Sequence, residues 1–341
     1  MKVRHRLQIL LLYGLVSATL LVSGCRQLQA TSRVSPTVSL RAIADIPMSG
    51  GTNRWDYQSI NYDNDRLYIS HLGSSIVTVF DLKSQQVIAD IPGIPRPFGI
   101  LVVPNLKTVY VSAAGQNQVG VIDENTLKAT KYIQAGTTPD GIAYDPNTNK
   151  IFVSNENSGT ITVIDAKTNE RLEDITIGGR VGNTQFDPVS KLIYSVSDAD
   201  KLFEIDPSTD KIVNRYVVTG GSEPHGFYID EATHYALITC QGNNKIIVFD
   251  LDTKKVIASD TVAAGPDVLA FDPGLHRLYV AAESGTLTVF DVQKNKVTKI
   301  GELFIAGTAH TVCVDKNTHL LYFPLENING DPVLRIMEPA N

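Results

Sequence analysis

The chain has 341 residues, 43% of them hydrophobic and 19% charged, enough apolar material for a large core and too much for wholesale disorder. A net charge of −6 argues against a nucleic-acid binder that works through bulk charge, and three cysteines are too few for a disulfide framework. Length alone permits two or three domains, or one closed all-β architecture.

In chain order, Lys2, Arg4 and Arg6 precede a mainly apolar stretch from Ile9 to Val22, the basic head and short apolar core of a secretory signal. Val22-Ser23-Gly24-Cys25 follows. Small residues before a Cys at this place resemble the lipobox of bacterial lipoproteins. That resemblance implies cleavage between Gly24 and Cys25 and lipidation of Cys25 as the mature N-terminus. Loss of residues 1–24 removes three basic and no acidic side chains, leaving 27 basic against 36 acidic residues and a net charge of −9. Arg26 stands where an Asp would favour inner-membrane retention, which points to the outer membrane, on its periplasmic face, in a two-membrane cell. Residues 25–38 are polar and unpatterned, a flexible tether. No later apolar run approaches the ~20 residues of a spanning helix, so the expectation is a cell-envelope lipoprotein that meets the membrane only through its anchor.

From residue 39 the chain repeats. An alternating run ending in Asp recurs as VTVFD at Asp81, VGVID at Asp123, ITVID at Asp165, LFEID at Asp206, IIVFD at Asp250 and LTVFD at Asp291, with a weaker VLRIME at Glu338. Between these lies a second phrase, such as GIAYDPNTNKIFVSN at 141–155, so each period holds four short runs divided by turn residues. Periods of ~40–45 residues with four strands predict β-propeller blades, here seven. RAIADIPM at 41–48 nearly copies QVIADIPG at 86–93, an outermost strand, but has no blade of its own. Residues 39–47 are therefore expected to complete the last blade and close the ring, making 39–341 one all-β, monomeric domain.

The phrase at 139–165, PDGIA…KIFVSN…GTITVID, resembles the YVTN-type seven-bladed propellers, which include bacterial surface-layer-like and YncE-like proteins; the resemblance covers about 39–338. It implies the fold and leaves function open. Related propellers host lactonases, lyases and cofactor-binding domains. Single-stranded DNA binding, which the YncE-like resemblance also implies, is opposed by the mature charge of −9.

A residue repeated in every blade is scaffold; one that departs from the repeat at an inward position is a candidate for function. The Asp before each turn, including Asp63, Asp145, Asp187, Asp230, Asp272 and Asp315, is scaffold, its carboxylate accepting backbone N–H bonds. Aligning the inner-strand entry over blades one to seven gives Gln58, Phe98, Asp140, Gly182, His225, Asp267 and His310 at the mouth of the central channel. His225, Asp267 and His310 form a ligand set for a divalent metal or a general acid–base pair, with backbone-bonded funnel caps as the plainer alternative. His71 ends a second strand on the same face, next to blade seven in a closed ring. Arg96 and Arg180 lie two positions before the ring and, with Arg54, offer a local basic patch; Trp55, Tyr57 and Phe98 offer stacking surface. Leu325–Pro332 reads as an inserted loop suited to a partner. There is no haem-attachment, zinc-protease, nucleophile-elbow or P-loop motif. The reading is an exported, lipid-anchored module that binds a protein or small molecule through its funnel face. The alternatives are a metal-dependent lactonase- or lyase-type enzyme and a propeller holding a quinone or haem-like cofactor non-covalently.

Overall fold

The structure, a computed structural model, describes residues 38–340; the signal segment, Gly24, Cys25 and nearly all of the tether lie outside the described residues. Seven four-stranded antiparallel sheets form the blades of a propeller. Blade three shows why the repeat folds this way. Its two middle strands, Lys150–Asn155 and Thr160–Asp165, are buried through their central four residues on both faces, because each blade is covered by a neighbour on either side. The outer strand Glu170–Thr176 is mostly exposed, and there charged residues take over. Between the strands Asp145 accepts the backbone N–H of Asn147 at 2.9 Å and of Thr148 at 3.1 Å, and Asp165 does the same for Lys167 and Thr168 at 2.8 and 2.9 Å. The repeated aspartates are turn caps, as their recurrence implied. Two depart from this: in blade one the cap is Asn61, whose side-chain oxygen accepts the N–H of Asp63 at 2.8 Å, and Asp291 accepts only from the side-chain amide of Gln293.

Apolar clusters fill every seam between blades. Tyr68, Val77 and Val79 of blade one pack on Ile100, Val102 and Val109 of blade two, and Tyr322, Leu334 and Ile336 of blade seven pack back on Trp55, Leu67 and Phe80 of blade one. Buried polar clamps reinforce the seams. His234 of blade five bonds Asp187 of blade four at 2.9 Å, and Glu124 of blade two accepts from Asn61 and Tyr68 of blade one at 2.7 and 3.0 Å.

The first strand, Leu40–Pro47, pairs antiparallel with Asp331–Pro339, from Leu40 opposite Pro339 to Pro47 opposite Val333. It is the outer strand of blade seven, so the two ends of the domain meet in one sheet, as the copied sequence predicted. Arg335 holds Asp45 through two bonds of 2.8 and 2.7 Å, which keeps the Asp45 carboxyl below the usual carboxylate range. Every outer strand carries a register shift that leaves one residue unpaired, such as Ile43, Ile88 and Leu172. Such bulges twist the blade edges away from pairing with another chain.

Leu325–Pro332 is not an independent loop. Strand Leu321–Ile328 runs on into a turn at Asn329-Gly330, and Asp331 returns opposite Ile328, so the extra residues lengthen a hairpin. Among the described residues no helix is long and apolar enough to cross a membrane.

Candidate functional site

The inner strands carry the site because their ladders are interrupted where they enter the channel. In blade two Pro97 pairs with Ala113 and the next ladder partner is Ile100, opposite Val111. Blades three, four, five and six shift register at the same place. The two skipped residues are freed from the pleat and turn toward the axis. The first skipped residue of each blade forms the ring at the mouth: Phe98, Asp140, Gly182, His225 and Asp267, with His310 equivalent in blade seven. The second is often Gly, because the neighbouring inner strand passes there; a Cβ on Gly99 or Gly226 would lie 2.0 or 2.1 Å from the carbonyl oxygen of Asp140 or Asp267.

Blade one follows the same geometry two residues earlier than its sequence suggests. Gln58 pairs with Ile69, the counterpart of Val111, so Gln58 corresponds to Ile100 and lies below the ring. Its side-chain nitrogen donates to the carbonyl of Tyr322 at 3.2 Å. The ring residue of blade one is Asp56, whose N–H bonds Ser70 at 2.8 Å. Tyr57 then stands where blades two, three and five carry glycine. Its hydroxyl accepts a hydrogen bond from the side-chain amide of Asn183 in blade four, across the channel. This pair separates two spaces that share Tyr57 in their walls. One is a lower chamber of about 670 Å³ lined largely by inner-strand apolar groups such as Leu101, Ile142, Tyr228 and Leu269; the other is a cavity of about 250 Å³ at the mouth.

Charge sets the character of the mouth. Five carboxylates line it, from Asp56, Asp140, Asp267, Glu156 and Glu283, against the guanidiniums of Arg54 and Arg180 and the imidazole of His225. The two glutamates are paired. Arg54 bonds Glu283 at 2.7 and 3.2 Å, which holds that carboxyl low despite its burial, and Arg180 bonds Glu156. The three ring aspartates are 6, 4 and 6% exposed, and among the described residues no side-chain hydrogen bond reaches their carboxylates. Their nearest basic groups stand off: His225 Nε2 is 3.5 Å from Asp267 and 3.9 Å from Asp140, and Arg54 is 3.7 Å from Asp267. Burial pushes the Asp140 carboxyl up to about 7, with Glu156 and Asp267 adding to the effect and His225 opposing it. Burial, Asp267 and Asp140 together raise Asp56 well above its ordinary range.

Of the residues singled out in the sequence, Phe98, Asp140, His225, Asp267 and Arg180 line the cavity; Arg96 lies over the Phe98 ring at 5.4 Å. His310 keeps its ring position, 1% exposed, with Nδ1 donating to the Thr308 carbonyl at 2.8 Å. Trp55 is not stacking surface. It takes the place of the strand-opening proline, is fully buried, and stacks on His71 at 3.5 Å between ring centroids. His71 is likewise inside blade one, and burial drops its imidazole to about 4. The metal set changes too. The compact group among the described residues is Asp267, Glu283 and His310, whose ligand atoms lie within 4.8 Å of one another; His225 is outside it. Arg54 hydrogen-bonds Glu283 and stands 3.7 Å from Asp267, so a metal ion there would have to displace a guanidinium. Arg54 and Arg180, each paired to a glutamate, do not form a free basic patch.

Glu156 and Glu283 had no place in the sequence-derived ring. Each follows the last residue of a second strand, and Glu156 directly follows Asn155. Reading one residue further along these strands, onto the opposite side of the pleat, was the signal that would have found them.

Comparisons with known proteins agree on the architecture. A family model described as YNCE-like beta-propeller matches residues 102–299. No curated protein matches the chain significantly. Among solved structures, hydrazine synthase of Kuenenia stuttgartiensis aligns with a TM-score of 0.70 at 19% identity, covering 86% of this chain and 96% of that one. A chain of a mitotic checkpoint complex aligns with a TM-score of 0.74 at 10% identity, covering 96% of this chain and 100% of the other. At these identities the likeness is one of fold.

Proposed function

We propose that this chain, which belongs to the YncE-like β-propeller family, is an exported, lipid-anchored binding module whose ligand seats in the cavity at the mouth of its channel. The observation that carries this reading is the set of buried carboxylates of Asp56, Asp140 and Asp267, which face that cavity with no side-chain hydrogen bond among the described residues. Burial without a hydrogen-bonded counter-ion penalises the ionised form, so the Asp56 and Asp140 carboxyls hold their protons above the usual range, whereas blade two fills the same position with a phenylalanine. A scaffold has no use for that cost, and a ligand that completes the three carboxylates offsets it. An enzyme of the metal-dependent lactonase or lyase kind would need Asp267, Glu283 and His310 free to ligate, and Arg54 is hydrogen-bonded to Glu283.

Two measurements test the two halves of the reading. Cys25→Ala is expected to move the protein from the detergent phase to the aqueous phase on cloud-point partitioning; equal partitioning of both forms would remove the lipid anchor from the account. In a thermal-shift panel of small molecules, compounds that raise the Tm of the wild type should lose their effect on Asp56→Asn/Asp140→Asn/Asp267→Asn, which itself stays folded. Shifts retained in full by that variant would place the ligand elsewhere.

A further inference from the structure

We propose that the lower chamber, beneath the Tyr57–Asn183 pair, is a second binding site, which takes a neutral aromatic small molecule entering from the face opposite the mouth. It is separate from the carboxylate-lined cavity and does not depend on it.

The inner strands give the chamber its size and its closure. Its volume is about 670 Å³, within the ~300–1,000 Å³ of small-molecule pockets. Toward the mouth it ends where the Asn183 amide bonds the Tyr57 hydroxyl across the channel. At the other end its wall includes the exposed turn residues Glu231, Pro273 and Lys316, so it opens on the far face.

Repeat position separates scaffold from site here as it does at the mouth. Two residues below the ring, five blades place Ile100, Ile142, Phe227, Leu269 and Val312, an apolar belt. One residue further, five blades carry Ser59, Leu101, Ala143, Ala270 and Cys313, each at the same register with its second strand. Blades four and five depart from them with Gln185 and Tyr228, opposite Tyr194 and Leu237. Both line the chamber. Among the described residues neither the Gln185 amide nor the Tyr228 hydroxyl makes a hydrogen bond, and neither is sealed inside the protein. The open space beside an inner strand is the channel. Two adjacent blades thus offer it an amide, donor and acceptor at once, and a hydroxyl at one depth, against an apolar belt. Alanine serves the same position in blades three and six, so packing alone does not call for these polar groups.

The wall selects against ions. Its charged side chains are confined to the lower turns and carry both signs: Asp230, Glu231 and Lys316. Asp230 caps its own turn by accepting the N–H groups of Ala232 and Thr233 at 3.3 and 3.2 Å, and Lys316 Nζ lies 4.6 Å from the centroid of the Tyr62 ring. An ion drawn further in would shed water and meet no counter-charge, a cost a neutral molecule avoids. Aromatic surface is at hand from Tyr57, Phe227 and Tyr228, and Tyr228 already tilts against Phe271 at 5.5 Å between centroids. A ring-shaped guest extends such offset and edge-to-face packing.

Fluorescence titration of the chain from residue 26, which keeps the whole closed ring, tests the assignment. The probes are neutral N-phenyl-1-naphthylamine and 8-anilinonaphthalene-1-sulfonate, the same rings with an anionic group added. The neutral probe should bind saturably, one per chain, and the sulfonate at least tenfold more weakly. Ile142→Trp, which fills the chamber, and Gln185→Glu, which keeps the shape of the wall and adds a charge, should each weaken the neutral probe at least tenfold. Asp56→Asn/Asp140→Asn/Asp267→Asn should leave its affinity within twofold of the wild type. If Ile142→Trp does not fold, Gln185→Glu decides alone. Absence of saturable binding, equal binding of the sulfonate, or affinity unchanged in Gln185→Glu overturns the inference. So does binding lost in the triple variant, which would move the guest to the mouth. The mouth site stands or falls on its own panel, so the two readings fail separately.

Discussion

A chain beginning at residue 49 is expected to lose cooperative folding, whereas one beginning at residue 38 melts as a single unit. The strand Leu40–Pro47 is the whole outer edge of blade seven, paired along seven positions with Asp331–Pro339. It also buries apolar surface, since Val38 and Leu40 join the seam of blades six and seven while Ala44, Ile46 and Met48 join the seam of blades seven and one. Removing it breaks both seams and leaves a long unpaired strand edge, a template for association. The combined loss is comparable with the ~5–15 kcal/mol total stability of a domain. Circular-dichroism melts and size-exclusion chromatography decide the matter: the shorter chain should show a broad transition or none, and aggregate. A sharp transition within a few degrees of the longer chain would mean that blade seven closes without this strand. Asp45→Ala is the matched mild variant. It removes one partly exposed ion pair with Arg335, and a loss of no more than about 1 kcal/mol is expected.

The closing strand was readable because it copies a strand whose place in a blade the repeat had already defined. The same repetition explains what was misplaced. Blades two, three, five and six open their inner strands with Pro and follow the ring residue with Gly or Val, and those markers align Phe98, Asp140, His225 and Asp267. Blade one has Trp55 for the Pro and Tyr57 for the Gly, after a long entering loop, so neither marker anchors its register. Gln58 was placed two residues from its true position, and with it Asp56 was missed as a ring member. Asn61 in the turn-cap role of Asp145 is the trace the shift left in the sequence. Pairing is a different kind of information. That Arg54 and Arg180 are spent on Glu283 and Glu156, from second-strand ends of other blades, depends on side-chain reach across the funnel, which repeat spacing does not encode. The acidity of the site is therefore a property of what remains unpaired rather than of the residues present.

Asp140→Asn is expected to stabilise the protein at pH 8 and to do so by only about a third as much at pH 5. The Asp140 carboxyl is raised to about 7, first by burial and then by Glu156 and Asp267, with His225 pulling the other way. In the unfolded chain the group titrates near ~3.9. A carboxyl that holds its proton more tightly in the folded state costs stability as the pH rises from about 4 to about 7, and the full penalty persists above that. The difference corresponds to an upper bound of about 4 kcal/mol, and relaxation of the site will leave less. Asparagine keeps the shape and removes the ionisation. A gain on the order of 1–3 kcal/mol at pH 8 should appear as a rise of several degrees in Tm, which shrinks to about a third at pH 5 and disappears below about pH 4, where the unfolded chain holds its proton too. Asp56, Asp267, Glu156 and His225 face the same group, so the wild-type curve will be broader than a single titration. Equal melting of variant and wild type at both pH values, or a destabilised variant at pH 8, would show that Asp140 is already compensated. The same titration links stability to function. A ligand that pairs with the ionised carboxylate should bind the wild type more tightly at pH 8 than at pH 5. That pH dependence should weaken in Asp140→Asn, and the charge which costs the empty protein stability is then the charge which holds the ligand.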